Sequence, residues 1–335
     1  KIIFFLNIFM STLFFIISTI CLMVCLLISV AYFTHAERKI LGAVQRRRGP
    51  NVIGLFGLLQ PLSDGLKLLT NEQILPSSSD KIIFYLSPCI TFAVSLMGWA
   101  VIPFSQHSFL TELELSSLYL LACSALGIYG VLMAGWSSNS KYAFLGAMRS
   151  AAQMVSYELP IGIVLGTIVI ITGSFNLNTI IEFQSQTLWF VFIMPLLFIV
   201  FFICIVAETN RHPFDLPEAE AELVSGYNVE YAAMTFALFS LGEYASILMM
   251  SSLVIILFFG GWLAPISILN CIPGVIWFSL KILLFVLLFV LLRAGLPRYR
   301  YDQLMEIGWK VLLPVTIGFL VFTYTSLWVL NGLPY

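Results

Sequence analysis

IIFFLNIFMSTLFFIISTICLMVCLLISVAYFT, residues 2–34, contains no Asp, Glu, Lys or Arg. The run exceeds the roughly 20 apolar residues that a bilayer core requires. It is too long for a signal-peptide core and has no small-residue cleavage pattern, so it reads as a retained first membrane span. The rest of the chain agrees. With 60% hydrophobic and 10% charged residues, 29 Phe and a mean hydropathy of +1.00, the composition excludes a soluble globular protein and indicates an all-α, polytopic membrane protein.

Working outward, apolar stretches of spanning length recur at 10–33, 82–103, 116–136, 157–175, 188–207, 231–258, 275–296 and 311–330, which predicts eight transmembrane helices in a single membrane domain, 1–335. Basic residues orient them. Loops after the first, third, fifth and seventh spans hold 14 of the 16 Lys and Arg, all but Lys1 and Lys281, so these loops face the cytoplasm or matrix and both termini face the other side.

The first inner loop, 34–81, is patterned. Leu55, Leu58, Leu59, Leu62, Leu66 and Leu69 recur at helical spacing, with Gln60, Asp64 and Lys67 opposite. This predicts an in-plane amphipathic surface helix bent at Pro61, with its polar face toward a cavity or partner; an ordinary interfacial anchor is the alternative. The run Gln45–Asn51, with Arg46, Arg47 and Arg48, follows a span directly, and the net charge is only −1. It reads as a lipid-headgroup anchor rather than a nucleic-acid site.

The acidic inner loop AETNRHPFDLPEAEAELVSGYNVEY, 207–231, concentrates carboxylates between two apolar runs. Asp215 and Glu218, with Pro217 near the start and Gly226 near the end, signal a short helix. On it Glu218 and Glu222 share a face and Glu220 points away. A solvated acidic face favoured by the helix dipole is the plain explanation, and it suits Asp215.

Glutamates also enter the spans: Glu158, Glu208, Glu230 and Glu243. Glu243 is the costly one. It lies roughly 20 Å beyond Glu230 along a helix, within hydrocarbon depth, so it must face a wet interior or be protonated. Carboxyl groups stepping from the inner surface toward mid-membrane suit a proton relay; hydrogen bonding between helices by protonated glutamate is the alternative for any one of them. The six cysteines lie in or beside apolar runs with no C-x-x-C pair, so they read as packing residues and no zinc or iron–sulfur site is expected. No dinucleotide fingerprint, P-loop or nucleophile elbow is present, and His35, His107 and His212 are isolated.

AERKILGAVQRRRGPNVIGLFGLLQPLSDGLKLL, KYAFLGAMRSAAQMVSYE, AETNRHPFDLPEAEAELVSGYNVEY and RYRYDQLM resemble the signature segments of subunit 1 of the proton-pumping NADH:quinone oxidoreductase, respiratory complex I. The wording is most similar to mitochondrial and alphaproteobacterial members. The resemblance, from about residue 36 to 310, implies a subunit without its own metal, flavin or iron–sulfur cluster that forms the ubiquinone-access chamber where the membrane and peripheral arms meet. It implies that Glu37, Arg38, Asp64, Arg211 and Arg293 line that chamber, and that Glu158, Glu208, Glu218, Glu230 and Glu243 link it to proton channels. Asp215, Glu220 and Glu222 would close against the hydrophilic subunits. The implied partners are peripheral-arm and small membrane-arm subunits and lipids; the implied location is the mitochondrial inner membrane, with the bacterial plasma membrane as alternative.

One departure stands out: His212 occupies a position where that family usually has Ala or Thr. Beside Arg211 it is expected to titrate near neutral pH with only local effect. Two rivals remain open on the residues alone. A self-sufficient proton-coupled transporter would also use buried glutamates, but no repeat relates 1–165 to 166–335; a membrane scaffold would carry those glutamates at needless cost.

Overall fold

The structure, a computed structural model, describes residues 2–106, 110–215, 224–266, 269 and 271–330. The helices are α1 (Ile2–Val44), α2 (Gln60–Thr70), α3 (Lys81–Met97), α4 (Ser116–Ser137), α5 (Lys141–Thr172), α6 (Leu177–Gln186), α7 (Phe190–Ile193), α8 (Pro195–Glu208), α9 (Ala233–Phe258), α10 (Gly274–Gly295), α11 (Tyr301–Glu306) and α12 (Leu313–Val329). A π turn, Ile307–Leu312, makes α11 and α12 one continuous span. Among the described residues there is no β-strand, and seven helical segments are long and apolar enough to cross a membrane.

The expected 188–207 span differs from the other seven. It breaks at Met194, and α8, with Pro195 in its first turn, has 14 residues. Proline lacks the N–H that would continue a helix but fits its first turn, so the break follows from the sequence. The first inner loop also starts later than 34, because α1 continues to Val44. AERKIL is made largely of good helix formers, and nothing in it stops the winding.

The largest correction is α5, which begins at Lys141 rather than near 157. Lys141, Arg149 and Gln153 depress the hydropathy of its first half, yet Ala143, Gly146, Ala147, Ser150 and Ala151 are buried there. Small side chains on one face allow close helix approach, and that packing overrides the hydropathy reading. Glu158 therefore sits mid-helix.

α2 begins with Pro61 in its first turn, so this proline starts the helix rather than bending it. Leu62, Leu66 and Leu69 form an open stripe, each 63% exposed. The short helix expected around Glu218, Glu220 and Glu222 lies outside the described residues. α9 forms the axis of the core: Val254, Ile255, Ile256, Leu257 and Phe258 are fully enclosed, packed with Phe201 of α8 and Phe285 of α10.

Candidate functional site

Because α1 stays helical beyond residue 34, it carries Glu37 rigidly into a polar cluster. Glu37 is 5% exposed. Its carboxylate is paired with Arg293 in the last turn of α10, lies 3.7 Å from Arg211 Nη1, and accepts a 2.6 Å hydrogen bond from the Tyr244 hydroxyl on α9. The Arg211 guanidinium lies over the Tyr244 ring, 4.4 Å from its centre. Burial opposes the charge on Arg211, but Tyr244, Glu37 and Glu243 outweigh it and raise its pKa above the ordinary arginine value. Arg38 and Asp64 form a separate, more exposed pair at 2.6 Å across the seam between α1 and α2, where Gln60 also donates to Asp64 at 2.9 Å.

Further into the helices lies a cavity of about 100 Å³, lined by Glu208, Glu243, Tyr227, Ser124, Thr91 and Ser246 among others. Its size suits several waters, and polar groups set in a largely apolar lining give them partners. The Tyr227 hydroxyl donates to Glu243 Oε1 at 2.5 Å, and the Ser124 hydroxyl donates to Glu158 Oε1 at 3.4 Å. Glu208 is buried with Oε2 lacking a hydrogen-bond partner. Two of the expected relay glutamates, Glu208 and Glu243, thus line one cavity, and Glu158 reaches it through Ser124 of the lining. Glu230 does not join its lining; it is half-buried in the turn before α9. Glu218 lies outside the described residues.

The inner loops are held to this site by α5. The buried Gln153 amide donates to the Ala207 carbonyl at 2.8 Å and the Phe214 carbonyl at 2.9 Å, clamping the chain on both sides of Arg211. Gly146 lies against the Gly226 backbone so tightly that a Cβ would come within 2.8 Å of it. This close approach seats the buried turn that carries Tyr227. Asp215 pairs with Arg298 at 3.2 Å, joining the acidic loop to the segment before α11. At His212, burial, then Arg298 and Arg293, lower the pKa from the ordinary histidine value.

Sequence reasoning missed Gln153, Tyr227 and Tyr244. The available signal was chemical: FSLGEY and GYNVEY place phenols beside carboxylates, and a buried phenol seeks an acceptor. All six cysteines are unpaired, with Cys123 and Cys204 buried. Among the described residues no group of three or more His, Cys, Asp or Glu is arranged to hold a metal ion.

Comparison with known proteins gives the same family as the signature segments. The family model described as NADH dehydrogenase matches residues 17–324. An NADH-quinone oxidoreductase subunit of Rickettsia typhi is 53% identical over 321 residues, covering 95% of both chains. The corresponding NADH-quinone oxidoreductase subunit of Paramagnetospirillum magneticum is 55% identical over 320 residues, 95% of this chain and 94% of its own. The NADH-ubiquinone oxidoreductase chain 1 of Chondrus crispus is 54% identical over 320 residues, 95% of this chain and 98% of its own. A family model across most of the chain and near-full-length relatives above half identity leave one conclusion: the chain belongs to the NADH dehydrogenase family, whose members here are subunits of NADH-quinone and NADH-ubiquinone oxidoreductases.

Proposed function

We propose that this chain is a membrane subunit of respiratory complex I that forms part of the ubiquinone-access chamber and couples quinone reduction to proton movement. The observation that carries the reading is the position of Arg211. It reaches Glu37 on one side and feels Glu243 on the other, joining the polar cluster to the glutamate cavity. Reduction of a quinone to a quinol takes up two electrons and two protons, so it changes charge and proton demand at the chamber. A unit charge about 4 Å away is worth about 4 kcal/mol at an effective dielectric of about 20, enough to move a carboxyl pKa by about three units. A change at Glu37 would therefore alter the hold of Arg211 on Glu243.

In this reading Glu37, Arg38, Asp64, Arg211 and Arg293 face the quinone, electrons arrive from centres in neighbouring subunits, and Glu158, Glu208, Glu218, Glu230 and Glu243 carry protons. Asp215, Glu220 and Glu222 belong to the surface that meets the peripheral arm. The location proposed is the mitochondrial inner membrane, with the bacterial plasma membrane as alternative.

The test is native electrophoresis of gently solubilised membranes. The chain is expected in a very large assembly that oxidises NADH in the gel; migration as a small inactive particle would overturn the assignment. Within the assembled enzyme, Glu243→Gln is expected to abolish coupling while assembly survives, and unaltered proton transfer would remove Glu243 from the path.

A further inference from the structure

A second cavity, about 550 Å³, opens where the segment before α3 meets the turn between α4 and α5, on the side assigned as inner from the basic loops. Asp80, Ser137, Asn139, Ser140 and Lys141 line it, a set suited to water. Ser137 in this lining begins a row of buried hydroxyls. Its Oγ lies 3.2 Å from the Tyr231 hydroxyl, which lies 2.9 Å from Ser87 Oγ. Ser137, Tyr231 and Ser87 are 1%, 6% and 0% exposed, so bulk water does not short-circuit the row.

The far end points toward the glutamates. Thr91 follows Ser87 by one turn on the same face of α3 and lines the glutamate cavity, with its hydroxyl 3.4 Å from the Ser87 carbonyl. Gly130 of α4 faces this interval: a Cβ there would come within 3.3 Å of the Ser87 carbonyl oxygen and would collide with the Thr91 methyl. The aromatic setting fixes the phenol in place. The Tyr231 ring stacks on Phe84 at 4.1 Å and meets Phe239, itself a cavity-lining residue, edge-on at 4.9 Å.

We infer that Ser137, Tyr231 and Ser87 form a proton inlet from the inner face to the glutamate cavity, separate from the Glu37 cluster. The inference rests on the reading of that cavity as the proton path. A buried phenol needs only one partner to avoid the cost of burial. Here it sits between two serines, and in both contacts either oxygen can act as donor. A proton from water in the second cavity joins Ser137 Oγ as that oxygen passes its own proton to Tyr231. Tyr231 passes its proton to Ser87, and Ser87 releases one to water beside Thr91 for delivery to a cavity carboxylate. One proton moves, no bond between heavy atoms changes, and rotation of the hydroxyls resets the row.

The test uses the intact enzyme complex in proteoliposomes with Tyr231→Phe, which keeps both ring contacts and removes the hydroxyl, and Ser137→Ala, which leaves the aromatic stack untouched. Both are expected to assemble, to lose about tenfold in NADH-driven proton uptake, and to show a larger solvent deuterium isotope effect on turnover because proton delivery becomes limiting. Wild-type uptake and isotope effect in either assembled variant would overturn the inlet. Slower turnover with an unchanged isotope effect would also overturn it, leaving the hydroxyls a packing role. Glu243→Gln in the same vesicles separates the two claims: if it too leaves proton uptake intact, the glutamate path itself has failed, whereas a loss confined to Glu243→Gln rejects the inlet alone.

Discussion

Two cations packed against α9 are neutralised in different ways. Arg211, near the middle of α9, is set against the Glu37 carboxylate and the Tyr244 ring. Lys281, at the far end of α9, is held instead by backbone. Its ammonium donates to the carbonyls of Phe259, Gly261 and Leu263 at 2.7, 2.9 and 2.8 Å and lies 4.6 Å from the centre of the Trp189 ring. Carbonyl dipoles at a helix C-terminus stabilise a cation without titrating. The Arg211 partners include groups whose charge follows proton occupancy, so its interaction energy can change with protonation. Lys281 is a fixed staple; Arg211 is set where a switch can act.

The sharpest way to break this contrast is Arg211→Leu. Removing the cation leaves Glu37 buried with only Arg293 and deprives Glu243 of its cationic neighbour, a cost of about 3–5 kcal/mol. Little assembled complex is expected on native gels, and normal yield would show that Arg293 alone neutralises Glu37. Next is Arg211→Lys, which keeps the charge but loses the planar stack on Tyr244. It is expected to assemble with about tenfold lower quinone-reductase turnover, equal to about 1.4 kcal/mol, and an altered pH profile.

Lys281→Met sharpens the comparison from the other side. It leaves three carbonyls without their donor while relieving the burial of a charge, for a net loss of about 1–3 kcal/mol. A lower Tm of the solubilised complex is expected, with the pH profile of turnover unchanged; a shifted profile would show that the staple, too, is part of the proton machinery.

Gly146→Ala acts through the backbone: its Cβ would lie 2.8 Å from Gly226, closer than real contacts allow, so the turn itself must move, weakening the contact between Tyr227 and Glu243. Slower proton uptake at nearly normal assembly would be the sign.

The smallest effect belongs to His212→Ala. Its folded pKa lies below the ordinary 6.5, so the unfolded chain takes up the proton first and the native state loses stability as pH falls below that value. The stability contribution is intact above pH 6.5 and lost through the window beneath it. The variant should therefore lose less stability on acidification than the wild type, as read by thermal denaturation at stepped pH.

Legibility in the sequence followed the range of the physics involved. Spans such as Ser116–Ser137 and Gly274–Gly295 were readable because burial in lipid depends on composition over a single window. The first half of α5 was not, since Ala143, Gly146 and Ala147 are buried by contacts with other segments, which no local average contains. The glutamates could be picked out because an ion within hydrocarbon is expensive wherever its partner lies. Their partners could not: Tyr244 meets Glu37 from 207 positions away, and Gln153 reaches Phe214 across 61. Cost is local in sequence, whereas compensation is a property of the fold.

The π turn at Ile307–Leu312 has a consequence for how this chain tolerates change in length. Winding through i→i+5 bonds accommodates about one more residue than an α turn, so the segment acts as a stored insertion. Deleting one residue there would let the helix return to regular winding while Leu304, whose carbonyl accepts from Tyr157 at 2.9 Å, and Thr316, buried further along, both keep their facing. The same deletion a few residues later, within α12, would rotate every following side chain by about 100°. The last span thus contains one place where its length can vary without a change of phase.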